Sequence, residues 1–182
     1  MLDRVREALF STLAEKVEGA RVLDLFAGTG SLGLEALSRG AHQARFVERD
    51  RRALERLADN VSTLDLHERV ATTRGDALRP SNWSLRDGED DVRPDLVFMD
   101  PPYPLIRTHR GRAALLAAIG GLLGEAAAAN ATLVLHTHPR DLRASELTTL
   151  CCGDTPEPRV YGNTALWYLR ATGRSDTGNT RE

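Results

Sequence analysis

Residues 100–103 read Asp100-Pro101-Pro102-Tyr103 and follow the apolar run Asp95 to Met99 directly. An aspartate at a strand end, two prolines and an aromatic ring together suit one reaction, methylation of an exocyclic amino group on a nucleic-acid base. Such an amine is a poor nucleophile, because its lone pair is delocalised into the ring. Accepting hydrogen bonds from both of its N–H groups favours a pyramidal nitrogen with the lone pair turned toward a methyl donor. Asp100 offers one acceptor and the Pro101 carbonyl the other, and the prolines fix φ and so hold that carbonyl in place. Tyr103 offers a flat face to stack on a base swung out of its helix. Taken alone, the same four residues also suit an ordinary turn at a strand end.

A second constellation lies upstream. Gly28-Thr29-Gly30-Ser31-Leu32-Gly33 follows the apolar run Ala20 to Phe26, and Glu48 lies 20 residues past Gly28. A glycine turn between strand and helix, with an acid about 20 residues on, permits a dinucleotide such as NAD as readily as S-adenosyl-L-methionine (AdoMet). Asp24 separates the two. A carboxylate beside the turn would face the pyrophosphate of NAD, which favours positive dipoles. AdoMet has no phosphate and brings an ammonium and a sulfonium instead, and the chain is short for a dehydrogenase. AdoMet is therefore the expected cofactor. Phe26 and Ala27 lead into the turn, and Gly28 and Gly30 let the backbone approach the methionine part. Glu48 can accept both ribose hydroxyls, while Asp76 and the Ala77 amide are placed to meet the adenine edge. Asp76 also suits a turn or helix N-cap. His136 and His138 flank Thr137, but with no third ligand in view no metal is expected.

The elements that must position these residues alternate. Helices are expected over Asp3–Val17, Leu32–Leu37, Arg51–Leu64 and Ala113–Ala129. Strands are expected over Ala20–Phe26, Ala44–Val47, Val70–Thr73, Asp95–Met99 and Thr132–Thr137. Residues Leu147–Cys152 and Val160–Leu169 are expected to close the sheet as an antiparallel pair. Residues 80–94 carry the acidic run Asp87-Gly88-Glu89-Asp90-Asp91 and read as an exposed loop. The whole is an α/β fold, with a mostly parallel central sheet and helices on both faces. Asp24 to Gly33, Glu48, Asp76 and Asp100 to Tyr103 each fall just past a strand. In such a sheet they share one rim, the carboxyl ends where ligands gather.

Composition bounds the rest. The chain has 182 residues, 41% of them hydrophobic, enough for one domain with a sizeable core. Residues 1–170 are read as that domain and 171–182 as a polar, disordered tail. No apolar run approaches a bilayer span, and the charged start Asp3-Arg4-Val5-Arg6-Glu7 is unlike a signal peptide. A soluble cytoplasmic protein, without membrane contact and monomeric, is expected. A net charge of −2 gives no global support for nucleic-acid binding. Local patches must supply it: Arg49, Arg51, Arg52 and Arg56, or Arg107, Arg110 and Arg112 beside Tyr103, the second favoured for RNA phosphate. Lys16 is the only lysine, and Arg suits phosphate forks and base stacking. Cys151 and Cys152 read as small buried apolar residues.

Several segments resemble one family. Asp3-Arg4-Val5-Arg6-Glu7-Ala8-Leu9-Phe10, Val22 to Gly30, Leu34 to Ala41, Val47-Glu48, Gly75-Asp76-Ala77, Asp100 to Tyr103 and Tyr161-Gly162 are similar to the RsmD-type 16S ribosomal RNA guanine-N2 methyltransferases of bacteria. The resemblance covers about residues 3 to 170. It implies a Rossmann-like class I methyltransferase fold, AdoMet as methyl donor and a guanine N2 of 16S rRNA as acceptor, presented within the small ribosomal subunit or an assembly intermediate. The family's basic N-terminal arm is expected to be missing ahead of Asp3. Rival readings share parts of this pattern. A DNA adenine or cytosine amino-methyltransferase would need a target-recognition region for which there is little room. A glutamine-amide methyltransferase would show Asn at position 100. A non-catalytic ribosome-assembly factor would need neither Asp100 nor an AdoMet site.

Overall fold

The computed structural model describes residues 3–87, 90–151 and 155–171. Met1, Leu2, Gly88 and Glu89 of the acidic run, Cys152 and all of the polar tail beyond Ala171 lie outside them. The elements in order are α1 (Asp3–Leu13), β1 (Arg21–Leu25), α2 (Ser31–Ser38), β2 (Gln43–Glu48), α3 (Arg51–Thr63) and β3 (Val70–Arg74). There follow β4 (Leu85–Asp87), β5 (Asp90–Val92), β6 (Leu96–Met99), α4 (Tyr103–Arg107), α5 (His109–Gly121), β7 (Thr132–Thr137), α6 (Ala144–Thr148), β8 (Arg159–Tyr161) and β9 (Thr164–Arg170).

Alternation of side chains along the strands builds two apolar layers. Leu23, Leu25, Val97, Met99, Leu133 and Leu135 belong to one layer, with Ile106 of α4, Leu115 and Ile119 of α5 and Leu147 of α6. Val22, Phe46, Leu96, Phe98 and Val134 belong to the other, with Leu9 and Phe10 of α1, Leu34 and Leu37 of α2 and Leu57 and Val61 of α3. Phe10 meets Phe98 edge-on with ring centroids 5.8 Å apart. Helices thus cover both faces, as β-strands buried on two sides require.

The seven-stranded sheet runs β3-β2-β1-β6-β7-β9-β8. The first five strands are parallel, and β9 is antiparallel to both β7 and β8. The chain moves outward from β1 to β3, then crosses back to place β6 against the other side of β1. That reversal opens a crevice beyond the carboxyl ends of β1 and β6, the place where open α/β sheets bind ligands. At the opposite end Arg21 clamps the two strands, its Nε and Nη2 each donating to Asp95 at 2.8 Å.

Several boundaries differ from the sequence reading. Helix α1 stops at Leu13, where Ala14 takes φ of 43° and a 3₁₀ turn carries the chain to Val17, still buried. The long helix starts earlier, because Thr108 Oγ1 caps it by accepting from Gly111 N at 3.1 Å, and it ends in a π-helical turn over Leu122–Ala126. The loop of residues 80–94 contains the β4–β5 hairpin, preceded by buried Trp83, whose Nε1 donates to Ala77 O at 2.9 Å. A further difference concerns the closing pair. Of the strand expected over Leu147–Cys152, Leu147 and Thr148 instead end α6 and residues 149–151 form a turn, because Glu146 accepts from Arg143 N at 2.9 Å and from Arg112 Nη1 at 3.2 Å while Leu147 turns into the core. The antiparallel pair is β8 with β9, turned at Gly162. Ala171, read as the first residue of the tail, is buried and donates to Ala131 O at 2.8 Å.

Candidate active site

A cavity of about 620 Å³ opens at the crevice. Each parallel strand delivers a piece of its wall. Phe26 follows β1, Glu48 ends β2, Gly75-Asp76-Ala77 follow β3, Asp100-Pro101-Pro102-Tyr103 follow β6 and His136 lies near the end of β7. The expected convergence on one rim is therefore met by all of these except the glycine turn. Asp24, Ala27, Gly28 and Gly30 are not among the residues that line the cavity.

The turn is held by Glu48. Its Oε2 accepts from Gly28 N at 3.0 Å, and its Oε1 accepts from Arg49 N and Asp50 N, both at 2.8 Å. A carboxylate has about four lone-pair sites. Three are engaged by backbone amides, so one site on Oε2 is left for a ligand. Gly28 has φ of 57°, and a Cβ built there would meet nothing within 4 Å, so the space before it is open to a ligand's approach. Gly30 is glycine for a different reason. It has φ of 84°, and a Cβ would lie 2.3 Å from Leu57 Cδ1, so α3 rather than a cofactor excludes a side chain.

Asp24 lies beneath the turn, 2% exposed, on the face of β1 that also carries Val22. Its Oδ2 accepts from Gly33 N at 2.9 Å. Burial pushes its carboxyl up from the ordinary 3.8 to about 8, the Gly33 amide opposes that rise, and the charges of Asp100 and Glu48 add to it. Gly33 leaves no room for a side chain. A Cβ there would come within 2.3 Å of Phe46 Cε1 and 3.1 Å of Asp24 Oδ2. Gly33→Ala is expected to destabilise the protein by about 1–3 kcal/mol through overpacking, despite the better helix propensity of alanine. A urea titration of both proteins measures it, and an equal or raised midpoint would refute the packing argument.

Asp76 is exposed, and its Oδ1 accepts from Leu78 N at 3.0 Å, so it closes a turn while lining the cavity. Asp100 sits with its side chain 37% exposed, and its Oδ1 lies 2.6 Å from His136 Nδ1. Pro101 is buried, and the Pro102 carbonyl accepts from Leu105 N at 2.9 Å, which starts α4. Tyr103 is 38% exposed, and the Arg107 guanidinium lies 5.7 Å from its ring centroid. Of the second basic patch, Arg107 and Arg110 are at the surface. Arg112 instead ties α5 to the segment after β7, donating to Ile106 O, Asp141 O and Glu146 Oε1. In the first patch Arg51 pairs with Glu55 at 2.8 Å, and Arg49 lines the cavity.

Arg49, Asp50, Leu78, Leu105 and above all His136 are wall residues that the sequence reading did not place at the site. The signal for His136 was its position near the end of β7 beside Asp100, visible once β7 is known to neighbour β6. Among the described residues no group of three His, Cys, Asp or Glu side chains is arranged to hold a metal, and no helix is long and apolar enough to cross a membrane.

The strand order, the closing antiparallel pair and a ligand crevice at the reversal together define the class I methyltransferase fold. Residues 1–149 match the family described as Conserved hypothetical protein 95, the RsmD family, and the chain belongs to it. The Ribosomal RNA small subunit methyltransferase D of Escherichia coli is 41% identical over 102 residues, covering 56% of this chain and 48% of that protein. The chain thus spans about half the length of the curated relatives it matches. The solved structure of yhhF from Escherichia coli superimposes with a TM-score of 0.71 at 28% identity, covering 94% of this chain and 88% of that one. The Thermus thermophilus 16S rRNA N2 G1207 methyltransferase (RsmC), solved with AdoMet and guanosine, shares the fold at TM-score 0.67 and 19% identity over 93% of this chain and 43% of that one.

Proposed function

We propose that the protein transfers a methyl group from AdoMet to the exocyclic N2 amine of a guanine in 16S rRNA, presented by the small ribosomal subunit or an assembly intermediate in the cytoplasm. The observation that carries this reading is the placement of Asp100, at the end of β6, on the wall of a cavity it shares with Glu48, beside the buried Asp24. Two carboxyl groups on the wall, with the buried Asp24 carboxyl beneath them able to ionise against a cation, suit a cationic cofactor better than a pyrophosphate. The open space before Gly28 and the remaining lone pair of Glu48 fit the same group. Glu48 would hold the ribose, the turn through Ala27, Gly28 and Gly30 with Phe26 the methionine part, and Asp76 with Ala77 the adenine. When bound, AdoMet supplies an electrophilic methyl group on sulfur.

The protein's own residues act on the acceptor. Asp100 accepts one N–H of the amine and the Pro101 carbonyl the other, which localises the nitrogen lone pair. Tyr103 supports the extruded base. Alignment of the nitrogen with the methyl group is the main rate contribution, since little other chemistry is needed. On accepting the methyl group the amine nitrogen would give up one proton, for which the Asp100 carboxylate is the adjacent acceptor. The relatedness to small-subunit rRNA methyltransferases favours rRNA over DNA or protein as acceptor.

Product analysis tests the proposal. Purified protein with labelled AdoMet is expected to label unmethylated small subunits, and nucleoside digestion is expected to yield N2-methylguanine. Label in large subunits, DNA or release factor instead, or in a different nucleoside, would overturn it.

A further inference from the structure

We infer that His136 is a positioning residue for Asp100, donating from Nδ1–H to Oδ1 so that Oδ2 alone is presented to the amine. The inference rests on the reading of Asp100 as the amine's acceptor. The 2.6 Å separation is at the short end for a nitrogen donating to a carboxylate. The fold brings the two together. In the β6–β7 register Met99 pairs with Leu135, so Asp100 and His136 stand one step further along adjacent strands. The imidazole is 7% exposed and meets the Tyr103 ring edge-on at 6.4 Å. Its strand is held on the other side by β9, where His136 pairs with Leu166, and Trp167 Nε1 donates to Thr137 Oγ1 at 3.0 Å.

The other ring nitrogen decides the tautomer. His136 Nε2 is buried with no hydrogen-bond partner. An ionised Asp100 needs a donor, which places a proton on Nδ1. A second proton on Nε2 would bury a charged, unpaired N–H, a costlier state than a bare lone pair. The ring is therefore a rigid donor through Nδ1. Without it, a carboxylate 37% exposed can rotate and offer either oxygen to water. With it, the acceptor is fixed before substrate arrives, which is the condition for efficient alignment. His136 thus acts through Asp100 and needs neither a metal nor contact with the base.

Three variants and one spectrum test this. With unmethylated small subunits and labelled AdoMet, His136→Leu and His136→Gln are expected to lower kcat by about 10- to 100-fold, as loss of an orienting partner commonly does. KM for AdoMet is expected to stay near the wild-type value. His136→Asn, whose amide nitrogen lies near the place of Nδ1, is expected to restore most of the loss. Wild-type kcat in the Leu variant, or equal impairment of Leu and Asn, would overturn the inference. Nitrogen-15 spectra of the imidazole need no substrate. They are expected to show the Nδ1–H tautomer in the wild type and its loss in Asp100→Ala, and an Nε2–H tautomer in the wild type would refute the contact. A wild-type protein inactive on subunits but showing the Nδ1–H tautomer would count against the reaction and leave the Asp100–His136 pairing standing.

Discussion

Asp100→Ala is expected to lower methyl transfer by about 10²- to 10⁴-fold, the range for removing a group that acts on a proton in the transition state. The same change is expected to leave AdoMet affinity within about threefold, because the lost bond is made to the acceptor and not to the cofactor. The geometry supports this division. Asp100 lies past β6 on the cavity wall, whereas the glycine turn is tied to β2 through Glu48 and Gly28. Asp100→Asn is the sharper variant. It keeps the size but replaces one acceptor by a donor, which either faces the amine or meets His136 Nδ1–H. Calorimetry of AdoMet binding and single-turnover methyl transfer separate the two effects. Full turnover in Asp100→Ala would remove the amine-orienting role, and loss of AdoMet binding would move Asp100 into the cofactor site.

The second large effect concerns Asp24 and pH. Its carboxyl titrates near 8 in the folded protein against an ordinary 3.8, chiefly because it is buried. A raised folded value means that the native state binds a proton that the unfolded chain has released. The stability this proton confers is complete below about pH 4 and declines as pH rises through 8. Within that window each pH unit removes at most about 1.4 kcal/mol. Denaturant midpoints measured from pH 5 to 9 are expected to fall for the wild type and to fall much less for Asp24→Asn, whose amide oxygen can still accept from Gly33. The cofactor reading adds a sign. A bound cation favours the ionised form, so AdoMet binding at pH 7 is expected to release protons, seen as a calorimetric enthalpy that depends on the buffer's ionisation heat. Parallel stability curves for the two proteins would show that Asp24 is not the group responsible.

Much of the fold was legible because strand and helix periods are local. The runs V-L-D-L, R-F-V-E, L-V-F-M and L-V-L-H each became a parallel strand, and Glu48, Asp76 and Asp100 at or just past strand ends reached one rim. Residues 147–151 misled because apolar and β-branched residues in L-T-T-L-C suit a strand locally. Bonds from Arg143 and Arg112 to Glu146 instead start a helix there, and Arg112 comes from 34 residues upstream. Trp83 was hidden in a polar loop for a similar reason, since its partner Ala77 precedes the hairpin. The Asp100–His136 contact spans 36 residues and depends on sheet order, which no local pattern states. Residue types at strand ends were thus readable, but their pairing across strands was not.

Glu48 has a consequence for how this site can change over time. One side chain ties the glycine turn to β2, secures the start of α3 and keeps a single lone pair for a ligand. An amide of equal size would set a donor among three donors, and a shorter acid would not reach them all. Variation at this position is therefore opposed by the architecture itself, whatever the crevice binds. Change in what the crevice accepts is less constrained at Tyr103, a partly exposed ring on the opposite side of the cavity. The evolvable part of the rim is its far wall.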